Sequence, residues 1–147
     1  MISRPGDPET MKTRYADIPA YDTKDGSEIR ELMHPDHHGN RAQSLAEAIV
    51  APGAETRLHR HGRTEEIYHI TRGEGLMRLG DQTFAVTVGD TVCIPPGTPH
   101  NIRNTGETPL HILCACSPAY SHEERSCCRG ELGNRDAKAQ RREGTQR

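Results

Sequence analysis

GAETRLHRHGRTEEIYHITRG, residues 53–73, and GDTVCIPPGTPHNIRN, residues 89–104, carry the pattern that decides the architecture of this 147-residue chain. His59 and His61 stand two apart. Alternate side chains of a β-strand face the same way, so both imidazoles can reach one metal ion together. Glu66 follows five residues after His61, and its neighbour Glu65 points to the opposite face of a regular strand. A third histidine, His100, comes shortly after the corner IPPG at 94–97. The prolines fix φ in that corner and limit how far the third imidazole can wander from the other two.

The spacing of both stretches resembles the two signature motifs of the cupin family, G-x5-H-x-H-x4-E-x6-G and G-x5-P-x-G-x2-H-x3-N. Every fixed position is present: Gly53, His59, His61, Glu66 and Gly73 in the first, then Gly89, Pro95, Gly97, His100 and Asn104 in the second. The resemblance covers about residues 40–117 and implies a metal centre made of His59, His61, Glu66 and His100. Three neutral imidazoles and one carboxylate form a borderline-soft donor set. It suits one divalent transition metal per chain (Fe, Mn, Ni, Zn or Cu) better than calcium. Four protein ligands leave positions open on an octahedral ion, and open positions are what chemistry needs. Glu66 is also the candidate catalytic residue, as a proton shuttle when it leaves the metal. Asn104 is expected to serve the turn and strand through local backbone hydrogen bonds rather than the metal.

Outward from the motifs the punctuation is regular. SEIRELM (27–33), SLAEAIV (44–50), TRLHRH, EEIYHITRG, GLMRLG, QTFAVTV, DTVCIPP, HNIRN and PLHILCACS read as short strands separated by Gly, Asp and Pro. Ile67, Tyr68, Ile70, Phe84, Val86 and Val88 add strand propensity. HPDHHGN, residues 34–40, reads as a turn cluster, and Gly73, Gly75 and Gly80 as turn positions where positive φ is easy. The fold expected is all-β: a single cupin double-stranded β-helix, or jelly-roll barrel, with a flexible N-terminal arm and a C-terminal tail. Residues 1–14 form the arm and residues 15–122 the domain with an N-terminal strand extension. Residues 123–147 form a disordered or frayed helical tail.

Composition narrows the partners. With 19 basic and 21 acidic side chains and no basic stripe across residues 40–116, nucleic acid is excluded as the main ligand. No apolar run approaches about 18 residues and the N-terminus lacks the hydrophobic centre of a signal peptide, so a soluble, cytoplasmic protein without membrane contact is expected. The five cysteines, at 93, 114, 116, 127 and 128, are odd in number and bunched toward one end, which favours reduced thiols over a disulfide framework. Buried small residues at 93 and 114 with exposed thiols in the tail are expected; a four-thiolate zinc site at 114, 116, 127 and 128 fits adjacent cysteines poorly. His34, His37, His38 and His122 read as surface residues.

Around the metal ligands, a regular strand turns Arg57 inward with His59 and His61, and places Tyr68 on the face of Glu66. An inward Arg57 offers a fork for a carboxylate or phosphate. Met77 is a candidate apolar wall and Gln43 a candidate lining residue. The resemblance implies a metal-binding monocupin acting on a small oxygen-rich molecule by dioxygenase, isomerase or lyase chemistry. The alternative is a non-catalytic cupin that binds or senses a small ligand. One small barrel has little buried area, so a homodimer is expected, with Tyr15, Ile18, Tyr21, Ile29 and Leu32 supplying apolar contacts from the segment before the barrel.

Overall fold

Burial with a period of two runs through the strands, and that alternation builds two antiparallel sheets around one core. The computed structural model describes residues 11–23 and 26–127. In chain order these form β1 (Tyr21–Asp22), β2 (Ser27–Met33), α1 (Pro35–His38), β3 (Ser44–Val50), β4 (His59–His61), β5 (Glu65–Arg72), β6 (Glu74–Leu79), β7 (Gln82–Thr87), β8 (Thr91–Ile94), β9 (His100–Asn104), β10 (Leu110–Ser117) and β11 (Arg125–Cys127). Single 3-10 turns occupy Tyr15–Asp17 and His122–Glu124.

One sheet has the order β1-β2-β3-β10-β5-β8 and the other β11-β4-β9-β6-β7. Neighbours that are distant in sequence, such as β3 beside β10 and β4 beside β9, give the jelly-roll winding expected of this chain. Val50, Ile70, Met77, Ile94, Ile102, Leu110 and Ile112 are shut away from solvent between the sheets. Each such side chain contributes about 1.5–3 kcal/mol by burial. Asn104 ties the end of β9 to the frame: its Nδ2 donates to Val50 O at 2.9 Å and Thr108 O at 2.8 Å, and its Oδ1 accepts from Gly106 N–H at 2.9 Å. No helix among the described residues is long and apolar enough to cross a membrane.

Several local expectations need correction. The segment 34–40 holds a one-turn helix rather than a plain turn cluster, because His34 caps its N-terminus through Nδ1 and Gly39 closes it at φ 83°. His34 is buried rather than a surface residue, with Nε2 donating to Tyr120 O at 2.8 Å. Gly75 lies inside β6 without a positive φ; it is small because a Cβ there would come within 2.7 Å of Arg103 O. Cys93 is exposed while Cys114 and Cys116 are buried. The domain does not stop at residue 122, since β11 pairs with β4 from Arg125↔His61 to Cys127↔His59.

The segment before the barrel is also placed differently. β2 adds to β3 within the same chain, and Ile29 packs against the core, so that sheet edge is occupied by the chain itself. Thr13 Oγ1 donates to Leu32 O at 2.6 Å, which fastens the entry of this segment. The expected flexible arm falls mostly on residues 1–10, and most of the expected tail on residues 128–147; both ranges lie outside the described residues. The four-thiolate zinc site falls partly there too.

Candidate metal centre

β4 is only three residues long, and hydrogen bonds on either side fix it. The chain leading into it is held to β9, with Thr56 N–H donating to Ile102 O at 2.9 Å and Ile102 N–H to Thr56 Oγ1 at 3.1 Å. The bend after Pro95 is held to β4 by Gly97 N–H, which donates to His61 O at 2.7 Å. Gly97 has φ 77°, so a side chain there would strain the backbone that makes this bond. β4 and β9 pair at His59↔His100, which sets the third histidine directly opposite the first. Glu66 comes from β5 in the facing sheet, on its buried side, while Glu65 is exposed.

The four side chains therefore meet between the sheets. One donor atom from each of His59, His61, Glu66 and His100 lies within 4.8 Å of all the others, and all four residues are buried. Ligand atoms about 2.1 Å from a shared ion stand ~4.2 Å apart when opposite, so this cluster is close to ligating size. His59 Nδ1 donates to Arg57 O at 2.7 Å and His100 Nδ1 to Thr98 O at 2.9 Å. Those bonds select the tautomer that leaves each Nε2 as a lone pair.

The lone pair of His100 Nε2 then faces Glu66 Oε1 at 3.2 Å, and neither atom has a hydrogen-bond partner. His61 Nε2 lies 3.6 Å from the same oxygen. A carboxylate oxygen facing the imidazole lone pair of His100 is repulsive unless a cation or proton stands between them. The buried orphan atoms and the donor set thus fit a divalent transition metal. Burial alone would raise the Glu66 carboxyl, but His100 and His61, once protonated, become charged donors toward it and outweigh burial. They hold it well below the usual carboxylate range.

Beyond the ligands the positions diverge. Tyr68 lines the pocket, its ring 5.9 Å from that of His100. Arg57 is exposed and contributes only its carbonyl, because the regular strand begins at His59 and the alternation does not extend back to 57; Thr56 lines the pocket in its place. Met77 is a core residue that does not reach the pocket, and Gln43 is exposed.

Sequence reasoning missed Glu31, Cys116 and Tyr120. Cys116 Sγ donates to Glu66 Oε2 at 3.1 Å, and the Tyr120 ring stands 5.6 Å from His61 at 80°. The period of two in β10, with Ile112, Cys114 and Cys116 on one face, was a signal for Cys116. No such signal marked Tyr120, which arrives by a loop that hydrogen-bonds Ser44 Oγ.

The cupin domain family matches residues 46–116, a span that contains all four ligand positions. An uncharacterised protein of Methanocaldococcus jannaschii is 55% identical over 114 residues, covering 78% of this chain and 91% of that one. The oxalate-binding protein of Thermotoga maritima is 33% identical over 86 residues, covering 58% and 71%. Among solved structures, an RmlC-like cupin from Shewanella frigidimarina superposes with a TM-score of 0.65 at 20% identity, covering 75% of this chain and 92% of that one, a likeness of fold.

Proposed function

Because this chain belongs to the cupin domain family, we propose that it is a monocupin that holds one divalent transition metal and uses it to bind and turn over a small oxygen-rich molecule. The observation that carries this reading is the orphaned contact of Glu66 Oε1 with His100 Nε2 inside a buried cluster of four donors. A bound ion supplies Lewis-acid polarisation of substrate oxygens. The chain's own residues do the rest: the Arg57 and Thr98 carbonyls orient His59 and His100, Cys116 steadies Glu66, and the aliphatic wall at Val50, Ile102 and Ile112 limits water. Glu66 is the candidate to move a proton when it leaves the metal. Dioxygenase, isomerase and lyase chemistry can each use a cationic centre beside a carboxylate.

Metal analysis of untagged protein tests the reading, with about one equivalent of transition metal expected per chain. The His59→Ala and His100→Ala double variant is expected to retain little. Equal metal content in wild type and variant would sink the assignment. Oxygen uptake with catechols, β-diketones and keto acids then separates oxygenation from isomerisation or lyase activity. A second reading, binding without turnover, is favoured by the name of the Thermotoga relative, an oxalate-binding protein. It predicts a ligand recovered unchanged and no turnover after metal reconstitution.

A cytoplasmic homodimer completes the proposal. On the outer face of the larger sheet, Leu45, Ala115, Ile67 and Cys93 lie in register, and Leu45 and Ile67 are exposed. A second copy of the chain would cover this apolar row. Light scattering at micromolar concentration tests it, and a monomer would rule it out.

A further inference from the structure

We propose that the pocket above the metal centre selects a single-ring molecule that carries at most one negative charge, meets the metal with a pair of oxygens and donates a hydroxyl or amine hydrogen to Glu31. Dianions such as oxalate are disfavoured. The proposal rests on the metal reading given above and adds the part of the ligand that the metal does not touch.

Charge points this way first. Among the described residues that line the pocket, the charged side chains are Glu31 and Glu66, and none is Arg or Lys. A dianion entering this space meets a second carboxylate and no guanidinium or ammonium, so only the metal's charge favours it. Glu31 is also half-satisfied. Its Oε1 accepts from Tyr21 OH at 3.1 Å, whereas Oε2 is shut off from solvent and has no partner. A buried acceptor of this kind wants a donor, and a ligand hydroxyl or amine can supply one once the carboxylate turns toward the pocket.

Placement gives the spacing. Glu31, Ala46, Cys114 and Tyr68 lie in register across β2, β3, β10 and β5, and Glu66 is two residues from Tyr68 on the same face. Three strand spacings, ~14 Å from backbone to backbone, therefore separate the Glu31 row position from the strand that carries Glu66. The residues between are small: Ala46, Ala48 and Cys114 leave a slot where bulkier side chains would fill it. The register of β2 on β3 shifts between Glu31 and Met33, the kind of irregularity that re-aims a side chain beside a site. The cavity holds about 90 Å³, room for roughly three waters at ~30 Å³ each or for one small planar ring. An outer cleft of about 350 Å³ shares Tyr21, Glu31, Tyr120 and His122 with it.

The test uses full-length protein loaded with Co(II), whose visible spectrum reports oxygen coordination directly. The probes are kojic acid, allomaltol and oxalate. The first two share a ring and chelating pair, and differ in that kojic acid carries a hydroxymethyl group where allomaltol carries a methyl. Wild type is expected to bind kojic acid at least about fivefold more tightly than either of the others, the scale of one hydrogen bond to a charged acceptor. Glu31→Leu is expected to abolish the preference over allomaltol and to improve oxalate. Glu31→Gln, which keeps an acceptor and drops the charge, is expected to improve oxalate while retaining part of the preference. If either variant fails to fold, the wild-type ratios decide alone, and a smaller preference overturns the proposal. Co(II) uptake with oxalate preferred overturns the Glu31 assignment alone, whereas a chain that takes up no Co(II) overturns the metal reading and this one with it.

Discussion

Cys116 and Glu66 face each other from paired positions of β10 and β5, with the Cys116 thiol donating to Glu66 Oε2 at 3.1 Å. The other carboxylate oxygen is thereby turned toward His100. A partner that orients a metal ligand in this way is usually worth tenfold or more in affinity. Cys116→Ala is expected to weaken zinc binding by about tenfold, and Cys116→Ser, which keeps a donor, to recover most of it. Competition against a chromophoric chelator measures both, and an unchanged affinity in the alanine variant would dismiss the orienting role.

Thiol reactivity should divide the described cysteines. Burial pushes the Cys114 and Cys116 thiols far above the usual range, and the nearby Glu66 carboxylate adds to the rise. A raised value keeps the group as a neutral thiol at pH 8, and the thiolate is the reactive form. Peptide mapping after brief iodoacetamide treatment is expected to find Cys93 labelled and Cys114 and Cys116 protected, with all three labelled in urea. Equal labelling of Cys116 and Cys93 in the folded protein would contradict the burial described.

A single methyl group tests the close approach of β9 and Leu110 to Gly75 of β6. The Cβ of Gly75→Ala would stand 2.7 Å from Arg103 O and 3.0 Å from Leu110 Cδ2, and backbone cannot move aside cheaply. Urea unfolding is expected to show a loss of about 1–3 kcal/mol. Gly62→Ala, with nothing within 4 Å of its new Cβ, is expected to change stability by less than about 0.5 kcal/mol. Equal effects at the two sites would refute the close approach.

His34 joins α1 to the loop that brings Tyr120 over the pocket. His34→Ala removes both the cap on Asp36 N–H and the bond to Tyr120 O, and is expected to cost about 1–3 kcal/mol. His37 is exposed and its alanine variant is expected to stay within about 0.5 kcal/mol of wild type. Thermal and urea denaturation of the two variants provide the comparison.

Much of the metal centre was legible in the sequence because local geometry determines it. The choice of Glu66 came from the spacing of the cupin motif and the strand at 44–50 from the Pro-Gly that ends it, while the shared face of His59 and His61 and the opposite faces of Glu65 and Glu66 follow from a period of two, which needs no knowledge of neighbours. The same rule misplaced Arg57, since it holds only inside a strand and β4 starts two residues later. Gly75 carried no local mark of its purpose: its neighbours in space, Arg103 and Leu110, are distant in sequence.

What the chain's order of residues determined, then, was the succession of short strands, through alternation, propensity and turn chemistry, while the four candidate ligands were legible through the spacing of the cupin motifs. Tertiary structure alone decided which groups serve those ligands. The Cys116 thiol reaches Glu66 because β10 lies beside β5, and Glu31 faces the pocket because β2 pairs with β3 and shifts register there. Arg125–Cys127 becomes a strand because β4 offers it an open edge. Each depends on hydrogen-bonded pairing between segments far apart in the chain, where side-chain pattern fixes the face of a strand but not its neighbour.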